Sequence, residues 1–161
     1  MAIEWSERYA LGIARMDETH REFVEFCNDL AAAAPEDANF LERFDAFIAH
    51  TAAHFDQENR WMEATKFPIP CHREEHDRVI AVVHEVRQRV EKGDLFLGRR
   101  LLEELAPWFD NHLDTMDTVL ALHLKKNGFD TETETLCGTE TPQIPVHDAC
   151  GCAAPQTSKV P

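Results

Sequence analysis

Between residues 18 and 128 apolar side chains recur at intervals of three and four, and no segment alternates with the β-branched enrichment of a strand. That spacing predicts four helices. The first runs over about 18–34, with Asp17 as its N-cap, Pro35 as its stop, and His20, Phe23, Val24, Cys27, Leu30, Ala31 and Ala34 along one stripe. The second opens with Asn39 and Glu42 in capping-box spacing and turns Phe40, Phe44, Phe47, Ile48, Thr51, Phe55 and Met62 inward, ending near Lys66 ahead of Pro68 and Pro70. The third covers about 71–92, with Val79, Ile80, Val83, Val86 and Val90 inward and Gly93 as the stop. The fourth starts near Asp94 and carries Leu101, Leu105, Trp108, Phe109, Leu113, Met116, Leu120 and Leu124, with Lys125 to Gly128 as its end. Pro107 has no N–H for the carbonyl of Glu103, which predicts a kink there, or a shorter final helix preceded by a separate turn.

Short connections favour antiparallel neighbours, so the expected fold class is all-α: an up-down-up-down antiparallel four-helix bundle. An N-terminal arm, residues 1–16, covers one side with Trp5, Tyr9, Leu11 and Ile13. Residues 1–128 are expected to be one unit. Residues 129–161, rich in Thr and Pro and without periodicity, are expected to be an irregular, flexible tail.

Composition narrows the classes of function. The 161 residues, 43% apolar, are enough for one sizeable core. Thirty acidic against 16 basic residues give a formal charge of −14, which argues against nucleic-acid or anionic-membrane partners. No apolar run approaches the ~18–20 residues of a membrane span, and the start lacks the basic flank and apolar run of a signal peptide, so a cytoplasmic location is expected. Five cysteines are then read as reduced thiols. Nine histidines are unusual in so acidic a chain.

Several of those histidines fall on the wrong face. In a water-soluble bundle the inward stripe is apolar, so ionisable residues that keep its register announce a ligand site. His54 and Glu58, four apart, continue the line of Phe47 and Thr51. His72 and His76, again four apart, lead into Val79 and Val83; His112 and Asp117, five apart, flank the inward line of the fourth helix; His20 is in register with Phe23. A single inward histidine is ordinarily a hydrogen-bonded core residue. Five imidazoles and two carboxylates buried together would cost several kcal/mol per uncompensated ion, which an ordinary core does not tolerate. Nitrogen and oxygen donors without a core thiolate suit iron, manganese or zinc, and seven protein ligands exceed what one ion accommodates. Two six-coordinate ions bridged by both carboxylates and a shared solvent-derived oxygen leave one position open.

The ordered set resembles the hemerythrin family, in its single-domain bacterial form. The resemblance covers residues 5 to about 124: Trp5, Leu11-Gly12-Ile13 leading to Met16-Asp17-x-x-His20, then His54-Phe55-x-x-Glu58, His72-x-x-x-His76, and Trp108-x-x-x-His112-x-x-x-x-Asp117. It implies that His72, His76 and His112 bind one iron and His20 and His54 the other. Glu58, Asp117 and an oxo or hydroxo group would bridge the two. The implied function is reversible dioxygen binding at the open position of the two-histidine iron, for storage, transport or delivery to an oxygen-consuming enzyme, by a monomer that is not itself an enzyme. Trp108, Phe109 and Leu113 are nominated as the apolar lining that keeps the bound gas dry. Asn59 stands where many relatives carry a second acid, and little effect is expected from it.

Rival readings explain less. Ferritin-like di-iron bundles use Glu-x-x-His pairs, and none occurs here. His72-Arg73-Glu74-Glu75-His76 matches a zinc-protease pattern with Glu75 as general base, but leaves the other five polar positions without a role. An oxygen or redox sensor would use the same irons, with the tail cysteines Cys137, Cys150 and Cys152 as output. Cys27, His50 and His84 are all displaced toward one end of the bundle and form a candidate polar cluster.

Overall fold

The computed structural model describes residues 3–136; Cys137, Cys150 and Cys152, with the sensor output they suggested, lie outside the described residues. A short 3-10 turn, Glu7–Tyr9, precedes α1 (Ala14–Ala32), α2 (Phe40–Ala64), α3 (Pro70–Glu91) and α4 (Leu95–His112). A π-turn, Leu113–Asp117, continues α4 directly into α5 (Thr118–Lys126), and these three pieces form the fourth rod. Each rod packs on the next in sequence and α1 also meets α4, giving the expected four-helix bundle.

The ends of the helices differ from expectation in instructive ways. Helix α1 begins at Ala14, a turn early, and Asp17 lies inside it. Its carboxylate accepts the N–H groups of Leu11 (2.6 Å) and Gly12 (3.0 Å), tying the arm to the helix rather than capping it. Gly12 adopts φ +72°, and an added Cβ would lie 2.9 Å from the Lys125 ammonium, which donates to the Leu11 carbonyl. Asn39 makes no side-chain cap bond, whereas Asp94 does, accepting from Leu97 N–H at 3.3 Å.

The helix does not end or restart at Pro107; α4 runs through it to His112. Glu103 and Pro107 both lie on the exposed face of the helix, where a missing backbone hydrogen bond costs least. The irregularity falls later, in the π-turn, where the Thr118 hydroxyl donates to the Leu113 carbonyl at 2.9 Å.

The arm covers the bundle as expected. Ile3 exchanges two hydrogen bonds with the Asn28 side chain (2.7 and 2.9 Å), and buried Tyr9 donates to Asp110. The first part of the segment expected to be irregular instead pairs as a small antiparallel ribbon, β1 (Phe129–Asp130) with β2 (Thr135–Leu136). Asp130 accepts the Glu132 N–H in the turn, Arg60 grips Glu134, and Phe129 packs on the bundle.

Two apolar clusters fill the interior. The larger contains Phe23, Phe44, Phe47, Phe55, Val83, Phe109 and Leu113; the smaller contains Ile13, Met16, Trp61, Met62, Leu120, Ala121 and Leu124. Along each rod that joins both clusters, the polar positions fall between them: His20 between Met16 and Phe23, Glu58 between Phe55 and Trp61, Asp117 between Leu113 and Leu120. The bundle therefore holds a polar layer sealed at both ends by apolar packing.

Candidate metal centre

All seven ionisable residues singled out by register meet in that layer. His20 is contributed by α1 and Asp117 by the end of the π-turn, His54 and Glu58 by α2, His72 and His76 by the first two turns of α3, and His112 by the end of α4. Glu58 and Asp117 are completely buried. The π-turn explains the five-residue interval between His112 and Asp117. In a regular α-helix residues five apart diverge by more than a quarter turn, and the wider coil brings both onto one face.

Every histidine turns its Nε2 toward the two carboxylates, and each carboxylate divides its oxygens between two groups of imidazoles. Glu58 Oε1 lies 3.1 Å from His54 Nε2 and 3.7 Å from His20 Nε2, while Oε2 lies 3.4 Å from His72 and 3.5 Å from His76. Asp117 Oδ2 lies 3.3 Å from His20, while Oδ1 lies 3.1 Å from His72 and 3.2 Å from His112. His76 and His112 bring their Nε2 atoms within 3.3 Å of each other.

These donors are poorly satisfied by one another. His20 Nε2, His72 Nε2, Glu58 Oε2 and both Asp117 oxygens are buried with no hydrogen-bond partner among the described residues. Such groups are costly unless something else meets them. Separations of 3.1–3.5 Å are those of neighbouring ligands around an ion bonded at about 2.1 Å. The donor atoms fall into two overlapping groups able to hold a cation: Glu58, His72, His76, His112 and Asp117, and His20, His54 and Glu58. The residues present therefore fit non-haem metal ions.

Without metal, the electrostatics place protons in the layer. Burial works against charge on His20, yet the close carboxylates of Asp117 and Glu58 overcome it and push the imidazole up to about 10. The same contest on His72, with burial again opposing Asp117 and Glu58, ends at about 9. Burial dominates at His76, helped by the charges of His72 and His112, and lowers it to about 3. For Glu58 burial and Asp117 favour the neutral acid, but His54 and His20 hold it well below the usual carboxylate range. Asp117, likewise penalised by burial, is held low by His112, His20 and His72.

The nominated apolar residues lie around this layer in different ways. Phe109 is edge-on to His20 at 5.8 Å and stacked on Phe23 at 4.9 Å, and Leu113 is buried beside them. Trp108 stacks on His112 (4.8 Å, 24° between planes) and only half faces the interior; its outer side lines a surface cleft of about 430 Å³ between α3 and α4. Two contacts escaped the sequence reading. Phe55 stacks flat on His76 (4.0 Å, 3°), and Asn59 Oδ1, itself outside the group of candidate ligands, lies 3.2 Å from His76 Nδ1.

Other expectations resolve plainly. Glu75 accepts the Trp108 indole N–H at 2.9 Å and pairs with Arg78, so it is no free general base and the protease reading fails. Cys27, His50 and His84 occupy three separate environments. Cys27 is buried in apolar packing that pushes its thiol up, and His84 is exposed. His50 stacks on Phe26 and is lowered to about 4, mainly by burial and then by His54.

A four-helix bundle sealed around five histidines and two carboxylates is a metal-binding protein of the non-haem class. The family model described as the hemerythrin HHE cation binding domain matches residues 11–123. A bacteriohemerythrin of Ralstonia nicotianae is 47% identical over 133 residues, covering 82% of this chain and 96% of the relative. Those of Stenotrophomonas maltophilia (29% over 124 residues; 75% and 80% covered) and Aquifex aeolicus (28% over 129 residues; 77% and 98% covered) are also similar. The chain belongs to the hemerythrin family.

Proposed function

We propose that the protein binds dioxygen reversibly at a carboxylate-bridged pair of iron ions. His20 and His54 would hold one ion, His72, His76 and His112 the other, with Glu58 and Asp117 bridging. The observation that carries this reading is the division of each carboxylate: one oxygen of Glu58 and one of Asp117 face His20, and the other oxygens face His72. A bridging carboxylate needs that arrangement. Family membership and the names of the relatives support iron and dioxygen as the occupants. When bound, the iron pair supplies the two reducing equivalents that reversible dioxygen binding requires.

The chain's own residues supply enclosure. Three histidines converge in one group and two in the other, so an ion held by His20 and His54 would have fewer protein ligands and room for a further one. Phe23 and Phe109, packed against His54 and His20, and Leu113 nearby keep bulk water from that side. Excluding water limits the delivery of protons to that side of the centre. The protein thus acts as a binder, not a catalyst, and serves storage, transport or delivery in the cytoplasm. The described helices include none long and apolar enough to cross a membrane. All seven side chains lie within residues 1–128, and the reading takes the protein as a monomer whose site is completed by that unit.

Anaerobic loading with ferrous iron followed by oxygen titration tests this reading. A visible charge-transfer band that saturates at one dioxygen per two irons and vanishes on deoxygenation is expected. Rapid irreversible oxidation with peroxide release would overturn it in favour of an oxidase or sensor.

A further inference from the structure

Histidines that bind metal through one nitrogen almost always donate the other N–H to a partner that fixes ring orientation and tunes basicity. In this centre the partners are unequal. Nδ1 of His20, His54, His72 and His112 is buried with no hydrogen-bond partner among the described residues. His76 alone of the five has a side-chain acceptor at Nδ1, the Asn59 amide oxygen at 3.2 Å. Its ring is also clamped flat against Phe55, so the stack fixes its plane and the hydrogen bond fixes its rotation within that plane. Asn59 comes one residue after Glu58 on α2 and is half-buried, at the floor of a small cleft bordered by Ala52, Asp56, Asp77 and Ile80.

We propose that Asn59 is a positioning residue that, through His76, sets how tightly the three-histidine ion is held and how readily it is oxidised. The inference rests on the iron-pair reading above. An amide oxygen is a neutral acceptor, so it orients the His76 N–H without making the imidazole strongly electron-rich. A carboxylate in its place would draw the proton further, raise the basicity of Nε2, and favour the ferric over the ferrous ion. Asp56 and Asp77 already border the cleft, so acids are tolerated there, yet the position that reaches His76 is an amide. Relative to the acid that many relatives carry there, the amide would slow oxidation of the ferrous state, an effect larger than the sequence alone predicts.

Three variants test the proposal: Asn59→Asp, Asn59→Leu, and Ala52→Asp, which adds a charge to the same cleft without taking the place of the His76 acceptor. The first readout needs no iron. Nitrogen-15 NMR of the metal-free protein reports the His76 tautomer, expected to be Nδ1–H in the wild type and mixed in Asn59→Leu. In the iron-loaded protein, Asn59→Leu should lose about 10- to 100-fold in affinity for one of its two ions, measured by chelator competition. Asn59→Asp should oxidise at least tenfold faster on exposure to air, and Ala52→Asp should stay within about twofold of wild type by the same yardstick. An unchanged His76 tautomer in Asn59→Leu, or equal oxidation rates in Asn59→Asp and Ala52→Asp, overturns the proposal. A wild-type protein that binds fewer than two irons defeats the iron-pair reading itself, and that outcome is distinguished by its appearing before any substitution is made.

Discussion

Loading the metal-free protein with ferrous iron should expel protons, and the number follows from the charge balance of the buried layer. Glu58 and Asp117 are fully buried and held ionised, and among the described residues their ion pairs are all with histidines; the compensating charge is carried by His20 and His72. With imidazoles pushed up to about 10 and about 9, both carry a proton at pH 7. A metal ligand must be deprotonated, so both protons leave when the ions enter. At least two protons per chain are expected, and more if a bridging water also ionises. Because two protons are displaced, the overall loading constant should rise about 100-fold per pH unit between pH 6.5 and 8.5, and flatten as pH passes the two histidine values. The same raised values stabilise the metal-free fold. That contribution is complete below the unfolded value of about 6.5 and is lost as pH climbs through 9 to 10. A pH-stat titration in weak buffer under anaerobic conditions counts the protons directly. Release of fewer than one proton per chain, or a loading constant independent of pH, would refute the charge assignment.

Other outcomes follow from the packing and the centre. Iron-loaded protein should melt above the metal-free form by calorimetry, since ligand binding to the native state alone stabilises it; equal melting curves would contradict a preformed site. Leu120→Ala, at a fully buried position of the smaller cluster, should cost about 3 kcal/mol in urea unfolding while leaving two irons per chain. In Gly98→Ala the new Cβ would lie 2.8 Å from Val90 Cγ2, and the overpacking cost of about 1–3 kcal/mol should exceed the ~1 kcal/mol gained in helix propensity, so thermal unfolding moves down. Glu58→Gln should reduce bound iron from two per chain to one or none by elemental analysis, with the helical circular dichroism retained.

The fold was legible because each rod carries an uninterrupted apolar stripe, and the centre because its polar residues keep the register of those stripes. His54 and Glu58 could be placed from their spacing alone. The π-turn was not foreseen, although its sign was present: an interval of five between His112 and Asp117 fits no face of a regular helix, and only a wider coil lets both reach one point. Pro107 drew attention instead, but it lies with Glu103 on the exposed face, where a missing hydrogen bond costs least, and α4 continues through it. Asp17 has the composition of an N-cap and serves another end, gathering the N–H groups of Leu11 and Gly12, because the tertiary docking of the arm decides where α1 begins. The ribbon at 129–136 is too short for any alternation to register, and it forms through the Asp130 turn and the grip of Arg60 on Glu134, a contact 74 residues apart in sequence. Asn59 was noticed but little was expected of it, because its position does not itself reach a metal ion; its contact with His76 depends on how α2 and α3 pack, which spacing along one helix does not reveal.

The central claim is that two metal ions sit side by side between the divided carboxylates. Anomalous diffraction at the iron edge from crystals of the loaded protein tests it most directly. Two peaks about 3.5–4 Å apart are predicted, one against His20 and His54 and the other against His72, His76 and His112, both in contact with Glu58 and Asp117. A single peak, or iron bound away from these carboxylates, would contradict the account.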